Sequence, residues 1–244
     1  MAVVRWSGGK VSTEASVEVG RPLSGARLRD AYVDSVSRLT FGLARFRDGA
    51  VRAGPLTLLR FGPPAVTDDA VEWPIEGGLL AGTRGGTWRI RSAGGHVEAT
   101  VTAFRPRLPR PLYAASHLQV HELFTRLFLL QLRGREPLPG RSVRREDRFR
   151  AASVDAALCL TLARMTGRRR PGRTLAMAAA YHVLCWSVWG RTFGGIVMRQ
   201  RVVASDGSPL SPQQAALRFV LMPLSWLSGR SLHDEIAQTD VIEA

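Results

Sequence analysis

Three apolar segments, at residues 151–165, 174–189 and 215–227, shape the second half of this 244-residue chain. Each falls short of the ~20 apolar residues that a straight bilayer-spanning helix needs. Basic residues bracket the first of them: Arg141, Arg144, Arg145, Arg148 and Arg150 before it, and Arg168, Arg169 and Arg170 after it. Arginine can snorkel, so a short helix flanked this way can still reach both interfaces of a locally thinned bilayer. Trp186 and Trp189 close the second segment and Trp226 lies near the end of the third, where interfacial anchors sit. The pattern predicts three short transmembrane helices.

A formal net charge of +14 would ordinarily point to nucleic acid. Here the basic clusters flank apolar runs and do not alternate with stacking aromatics, which favours anionic lipid headgroups as the partner. No nucleic acid is expected. Lys10 is the only lysine, and the guanidinium of Arg suits a headgroup zone because it hydrates weakly and grips phosphate in a fork. Cys159 and Cys185 lie in apolar runs, where thiols act as small hydrophobes. No metal or other cofactor is expected. The first residues lack a basic n-region followed by an apolar h-region, so the N-terminal part is expected in the cytoplasm. The distribution of Arg around the three segments leans the same way.

The first hundred residues read as short strands. Val11, Thr13, Ala15, Val17 and Val19 alternate with polar residues, as do Val97, Ala99, Val101 and Ala103. Further strands are expected at 39–46, 56–61, 70–75 and 87–91, separated by turn signals such as Asp48-Gly49, Gly62-Pro63-Pro64 and Gly94-Gly95. The prolines from Pro106 to Pro111 stop the sheet, and residues 116–133 read as one helix whose Leu123, Phe124, Leu127, Phe128 and Leu130 form an apolar face. A strand meander capped by one long helix resembles the helix-grip folds that hold apolar ligands, with Trp73, Trp88, Phe104 and Phe124 as cavity candidates. His117 and His121 have i, i+4 metal spacing but no evident third ligand, so a helix face explains them better. Pro137, Pro139 and Gly140 mark a linker.

Arg148 and Asp155 lie seven residues and roughly 10 Å apart on one predicted helix face, too far to pair directly. An Asp in an apolar helix is costly unless it faces the bundle interior and finds a partner. Arg218, His182 and Arg150 are the candidates. Gly190-Arg191-Thr192-Phe193-Gly194-Gly195 follows the second apolar segment, where glycine commonly stops a helix. His233-Asp234 comes after the third segment. No Ser/His/Asp or Cys/His constellation, phosphate-binding glycine loop or paired carboxylate motif stands out, so no catalytic residue is assigned and no enzyme is expected.

Arg148, Asp155, the turn Gly190, Arg191, Thr192 and Gly194, and Asp234 together resemble the RDD family of small membrane proteins over about residues 148–241. That family's usual turn is G-R-T-P-G-K. Here Phe193 replaces its Pro and Gly195 its Lys, which puts any Lys-dependent role in doubt. The resemblance implies a multi-pass cell-membrane protein of unsettled activity, with transport or sensing as the classes to consider and Asp155 and Asp234 as proton-linked candidates. Three short spans enclose little volume, so a transporter of this size calls for a homo-oligomer.

The expected fold is therefore α+β: an antiparallel sheet with one long helix at 1–134, a basic Pro/Gly linker at 135–147, and an all-α membrane module at 148–244. A peripheral module, or one that binds an apolar ligand without spanning helices, is the alternative.

Overall fold

The alternation at Val11–Val19 and Val97–Ala103 becomes two neighbouring strands, with Val17 opposite Val97, Ala15 opposite Ala99 and Thr13 opposite Val101. The computed structural model describes residues 3–165, 171–228 and 231–244. The chain divides into two compact units, Met1–Gly134 and Arg135–Ala244.

In the first unit the order is β1 (Val3–Ser7), β2 (Lys10–Glu18), α1 (Gly25–Leu39), β3 (Arg45–Arg47), β4 (Ala50–Ala53), β5 (Leu56–Phe61), β6 (Ala65–Val66), β7 (Ala70–Gly77), β8 (Thr87–Ala93), β9 (His96–Phe104), α2 (Arg110–Ala115) and α3 (His117–Arg133). The strands form one antiparallel sheet in the order β1-β2-β9-β8-β7-β5-β4-β3, with β6 on β7. Helix α3 packs on β2, β9 and α1. This is the expected meander under a long helix, and the α+β class holds for this unit.

Several elements depart from expectation, among them strands β1, β4 and β6, which lie outside the expected strand ranges. Helix α1 was not foreseen, and most of 39–46 is the end of α1 and a turn rather than a strand. The helix has a recognisable start, because Ser24 caps it by accepting from the Arg27 N–H. Leu28, Tyr32, Ser35 and Val36 then face the core at helical spacing. A side chain at Gly25 would fall 2.2 Å from the Ala70 carbonyl oxygen, so only glycine lets the helix start against the β6–β7 turn. The Pro-rich stretch also holds the short helix α2, with Pro111 in its first turn, where a missing N–H costs nothing.

Tyr32 gathers the aromatic core, lying against Phe46, Trp73, Trp88, Phe124 and Phe128. Trp88, Phe104 and Phe124 line a small cavity of about 80 Å³, whereas Trp73 packs in the core beside it against Phe61. His117 and His121 also face this cavity, and the buried Nδ1 atoms of both, with Trp88 Nε1, lack hydrogen-bond partners.

Burial pushes the His121 pKa down to about 4. A folded-state value below the unfolded one means the neutral ring is favoured by folding. The contribution is therefore complete above pH ~6.5 and is lost as pH falls toward 4, amounting to about 3 kcal/mol. Hydrogen exchange of α3 and β8 amides in the full chain should show protection falling across that window. His121→Phe should flatten the profile; an unchanged profile would locate the acid sensitivity elsewhere.

The second unit comprises α4 (Arg145–Met165), α5 (Pro171–Leu184) continued by a π turn at Cys185–Trp189, α6 (Phe193–Val197), β10 (Gln200–Ala204), α7 (Pro212–Ser228), α8 (Leu232–Ala237) and β11 (Thr239–Glu243). The three expected helices are present, but the unit is not all-α, because β10 and β11 pair antiparallel. Nor is 135–147 a free linker: Val143 donates to Val241, Glu243 donates to Arg141, and Ser142 bridges to Ile242.

Among the described residues no helix is long and apolar enough to cross a membrane. The three spanning helices are therefore not found as expected. Helix α7 has 17 residues and rises about 26 Å, below the ~30 Å of a hydrocarbon core. Helix α4 is longer, but opens with Arg145, Glu146, Asp147, Arg148 and Arg150. The anchors also split: Trp186 is buried and Trp189 is 69% exposed, while the Trp226 side chain and Arg168–Arg170 lie outside the described residues.

Candidate functional site

The second unit buries a set of polar groups beside a small apolar core of Trp186, Val202, Leu210, Ala215 and Val241, and leaves several large apolar side chains exposed. Asp155, His182, Gln200, Gln214, Arg218, Asp234 and Thr239 are all buried. Outside lie Phe149, Leu160 and Met165 on α4, Leu175 and Leu184 on α5, Ile196 and Val197 on α6, and Val220 and Leu224 on α7. Buried polar groups must be paired to be tolerated, and here the pairing centres on two carboxylates.

Asp234, at the start of α8, receives two arginines. Arg148 from α4 donates through Nη1 at 2.9 Å, and Arg218 from α7 donates to the other carboxylate oxygen. Thr239 Oγ1 donates to the same oxygen at 2.8 Å and accepts from Arg218. Arg148 Nη2 also donates to the Val241 carbonyl. Arg218 is only 4% exposed, and its guanidinium lies 5.0 Å from the Trp186 ring centroid. Burial, and then the charge of Arg148, lowers its pKa, so the carboxylate is what makes two adjacent guanidiniums tenable. His233 is pushed down to about 3 by burial and then by Arg218 and Arg148, and its ring is neutral near pH 7.

Asp155 has different partners from those expected. Neither Arg218, His182 nor Arg150 reaches it; Arg218 serves Asp234, Arg150 pairs with Asp147, and His182 Nδ1 meets the Ala178 carbonyl. Its Oδ1 instead accepts from Tyr181 Oη at 2.7 Å and from the Gly194 N–H at 2.8 Å. Among the described residues no hydrogen bond joins Asp155 to Asp234.

The glycine turn is what brings α6 to Asp155. Gly190 takes a left-handed conformation, φ 67°, and ends the π turn. Thr192 caps α6 by accepting from the Gly195 N–H. A Cβ on Gly194 would sit 2.1 Å from the Ala151 carbonyl oxygen, so the backbone of α6 touches α4 there. Phe193 donates its N–H to Tyr181 Oη, a bond that the proline usual at this position has no hydrogen to make. Arg191 is exposed.

These groups surround a cavity of about 420 Å³ lined by Arg145, Arg148, Arg191 and Arg218, together with Asp155, His182, Trp186 and His233. The structure thus brings Arg148, Asp155, Arg191, Thr192 and Arg218 to one place, with Asp234 immediately behind. Gly190 and Gly194 serve as backbone joints.

The RDD family model matches residues 174–237. The RDD match takes in the glycine turn, Arg218 and Asp234 and begins after Arg148 and Asp155. It suggests a membrane-associated protein of unknown activity. No family model matches the N-terminal unit. No curated protein and no solved structure matches the chain.

Several residues of the RDD-like cluster carried no usable sequence signal. Tyr181 and Thr239 are single polar residues at unremarkable spacing, and their role appears only once helices from distant segments meet. Arg218 was visible as a charge in an apolar run, but its carboxylate was misassigned.

Proposed function

We propose that the RDD-like unit seats its exposed apolar helix faces in the interfacial layer of a membrane and acts there in binding or sensing rather than catalysis. The observation that carries this reading is the set of large apolar side chains left exposed on its helices, Phe149, Leu160, Met165, Leu175, Val220 and Leu224. Exposed apolar surface on several adjacent helices is what a lipid boundary stabilises and water does not. The described helices are too short or too charged to cross, so they lie at the interface, where Arg side chains meet anionic headgroups.

Sensing is favoured over cation transport. Both carboxylates that a cation would use are already held, Asp155 by Tyr181 and Gly194 and Asp234 by two arginines. The N-terminal unit is read as cytoplasmic. An apolar-ligand role for it would require its cavity to enlarge, because about 80 Å³ is the share of two or three waters.

The test is sequential extraction of membranes from cells expressing the full chain. The protein should stay with membranes through a low-salt wash and leave them in alkaline carbonate. Retention after carbonate would mean that helices cross and would restore the multi-pass reading; absence from membranes at low salt would sink membrane association itself.

A further inference from the structure

We infer that the arginine-lined cavity of the RDD-like unit is a binding site for a phosphoryl group, carried by a lipid headgroup or by a soluble phosphomonoester. The inference does not depend on how the unit meets a membrane, since either source presents the same oxygens.

Charge and hydrogen-bond supply both point this way. Four guanidinium groups line the cavity, against Asp155 in the lining, Asp234 behind it and the charge of Asp240 acting on Arg148 and Arg218. Asp155 and Asp234 are engaged within the protein, and the donors are in surplus. Arg145 and Arg191 form no ion pair among the described residues and stand exposed at the rim. Arg148 and Arg218 lie deeper, and the Nε atom of each is buried without a partner. The Nη1 atoms of both are engaged with Asp234, so the charge left open to a ligand is that of the rim pair.

The chemistry of the donors selects among anions. Arginine forks match the tetrahedral oxygens of phosphate, and several around one cavity favour a group with more than one charged oxygen. The Ser231 hydroxyl in the lining can hydrogen-bond an ester or glycerol oxygen without adding charge, while His233 and Ser225 are bonded to one another. About 420 Å³ lies in the range of small-molecule sites and exceeds what inorganic phosphate fills. Asp155 and Asp234 are held within the protein, so a bare cation entering the cavity meets four guanidiniums.

The experiment titrates the full-length protein with glycerol 3-phosphate by calorimetry, with glycerol as the uncharged control. Arg145→Gln and Arg191→Gln remove rim charges without touching the buried cluster. Arg173→Gln removes an exposed charge at the start of α5, outside the cavity lining. Each rim variant should weaken glycerol 3-phosphate binding roughly tenfold, the worth of one charge-assisted contact. Arg173→Gln should bind as the parent does.

Flotation with phosphatidylglycerol vesicles, against phosphatidylcholine vesicles, separates the two sources. Binding to the anionic vesicles that is lost in the rim variants and competed by glycerol 3-phosphate assigns the headgroup. Calorimetric binding with no such vesicle dependence assigns the soluble ester. Two results overturn the inference: no binding in either arm, or equal losses in Arg173→Gln and the rim variants, which would reduce the effect to general surface charge.

Discussion

Asp234→Asn is expected to destabilise the RDD-like unit by about 3–5 kcal/mol, the largest effect of any single change in the chain. The substitution keeps the shape and one acceptor oxygen but removes the charge that Arg148 and Arg218 both contact directly, leaving only the more distant Asp240 to offset them. Arg218 is only 4% exposed and lies 5.0 Å from the Trp186 ring centroid, so its positive charge is left poorly compensated beside a second one. The expectation is checked by chemical unfolding of the full chain with hydrogen exchange read separately on α7 and α8. The double variant Arg218→Met with Asp234→Asn removes the stranded charge along with its partner. It should recover a good part of the loss, since an apolar side chain in place of a buried ion is often neutral. A loss below 1 kcal/mol in Asp234→Asn would show that solvent reaches the cluster and that the pairing does not hold the helices together.

Gly194→Ala should cost about 2–4 kcal/mol through overpacking and a weakened hydrogen bond to Asp155. The new methyl would meet the Ala151 carbonyl oxygen at 2.1 Å and lie 3.0 Å from the Asp155 carboxyl carbon. Neither atom can yield: one belongs to the α4 backbone and the other is held by Tyr181. Helix α6 must move off α4, which stretches both the Gly194 and Phe193 N–H bonds. Gly195→Ala is the internal comparison, because its Cβ would meet the Gln200 carbonyl oxygen at 3.1 Å, a contact that a few tenths of an ångström relieves. Thermal midpoints of the two variants should fall in that order. Equal midpoints would mean that α6 is not pressed against α4 as described.

How much of this was readable beforehand depended on whether the signal was local. Strands β2 and β9 announce themselves by alternation, because one face is buried and one is not. Helix α3 does so by an apolar face, and the turn after Trp189 by its glycines. Helix α1 escaped because Arg27, Arg29, Asp30 and Asp34 dilute its apolar stripe, although Leu28, Tyr32 and Val36 keep helical spacing. Strands β10 and β11 are five residues each and far apart, and neither is recognisable until its partner is known. The site shows the same division. Asp155, Arg148 and Asp234 stood out as charges near apolar helices, but which acid meets which base is decided by tertiary packing. The span expectation differs for a related reason: the apolar runs are interrupted by charges and short, and among the described residues no helix they form is long and apolar enough to cross a membrane.

The pairing of residues 141–143 with β11 also has a consequence for biosynthesis. Val143 and Arg141 reach their partners only after Val241 and Glu243 have been made, and Arg148 likewise waits for Asp234. The unit therefore cannot close its polar centre until α8 and β11 have been made, although the sheet domain before it can complete itself first. During that interval the apolar flanks of α4, α5 and α7 are present without the contacts that organise them. A nascent chain in that condition needs a chaperone or a lipid surface close at hand, so the order of synthesis itself favours early delivery to the place where those flanks are welcome.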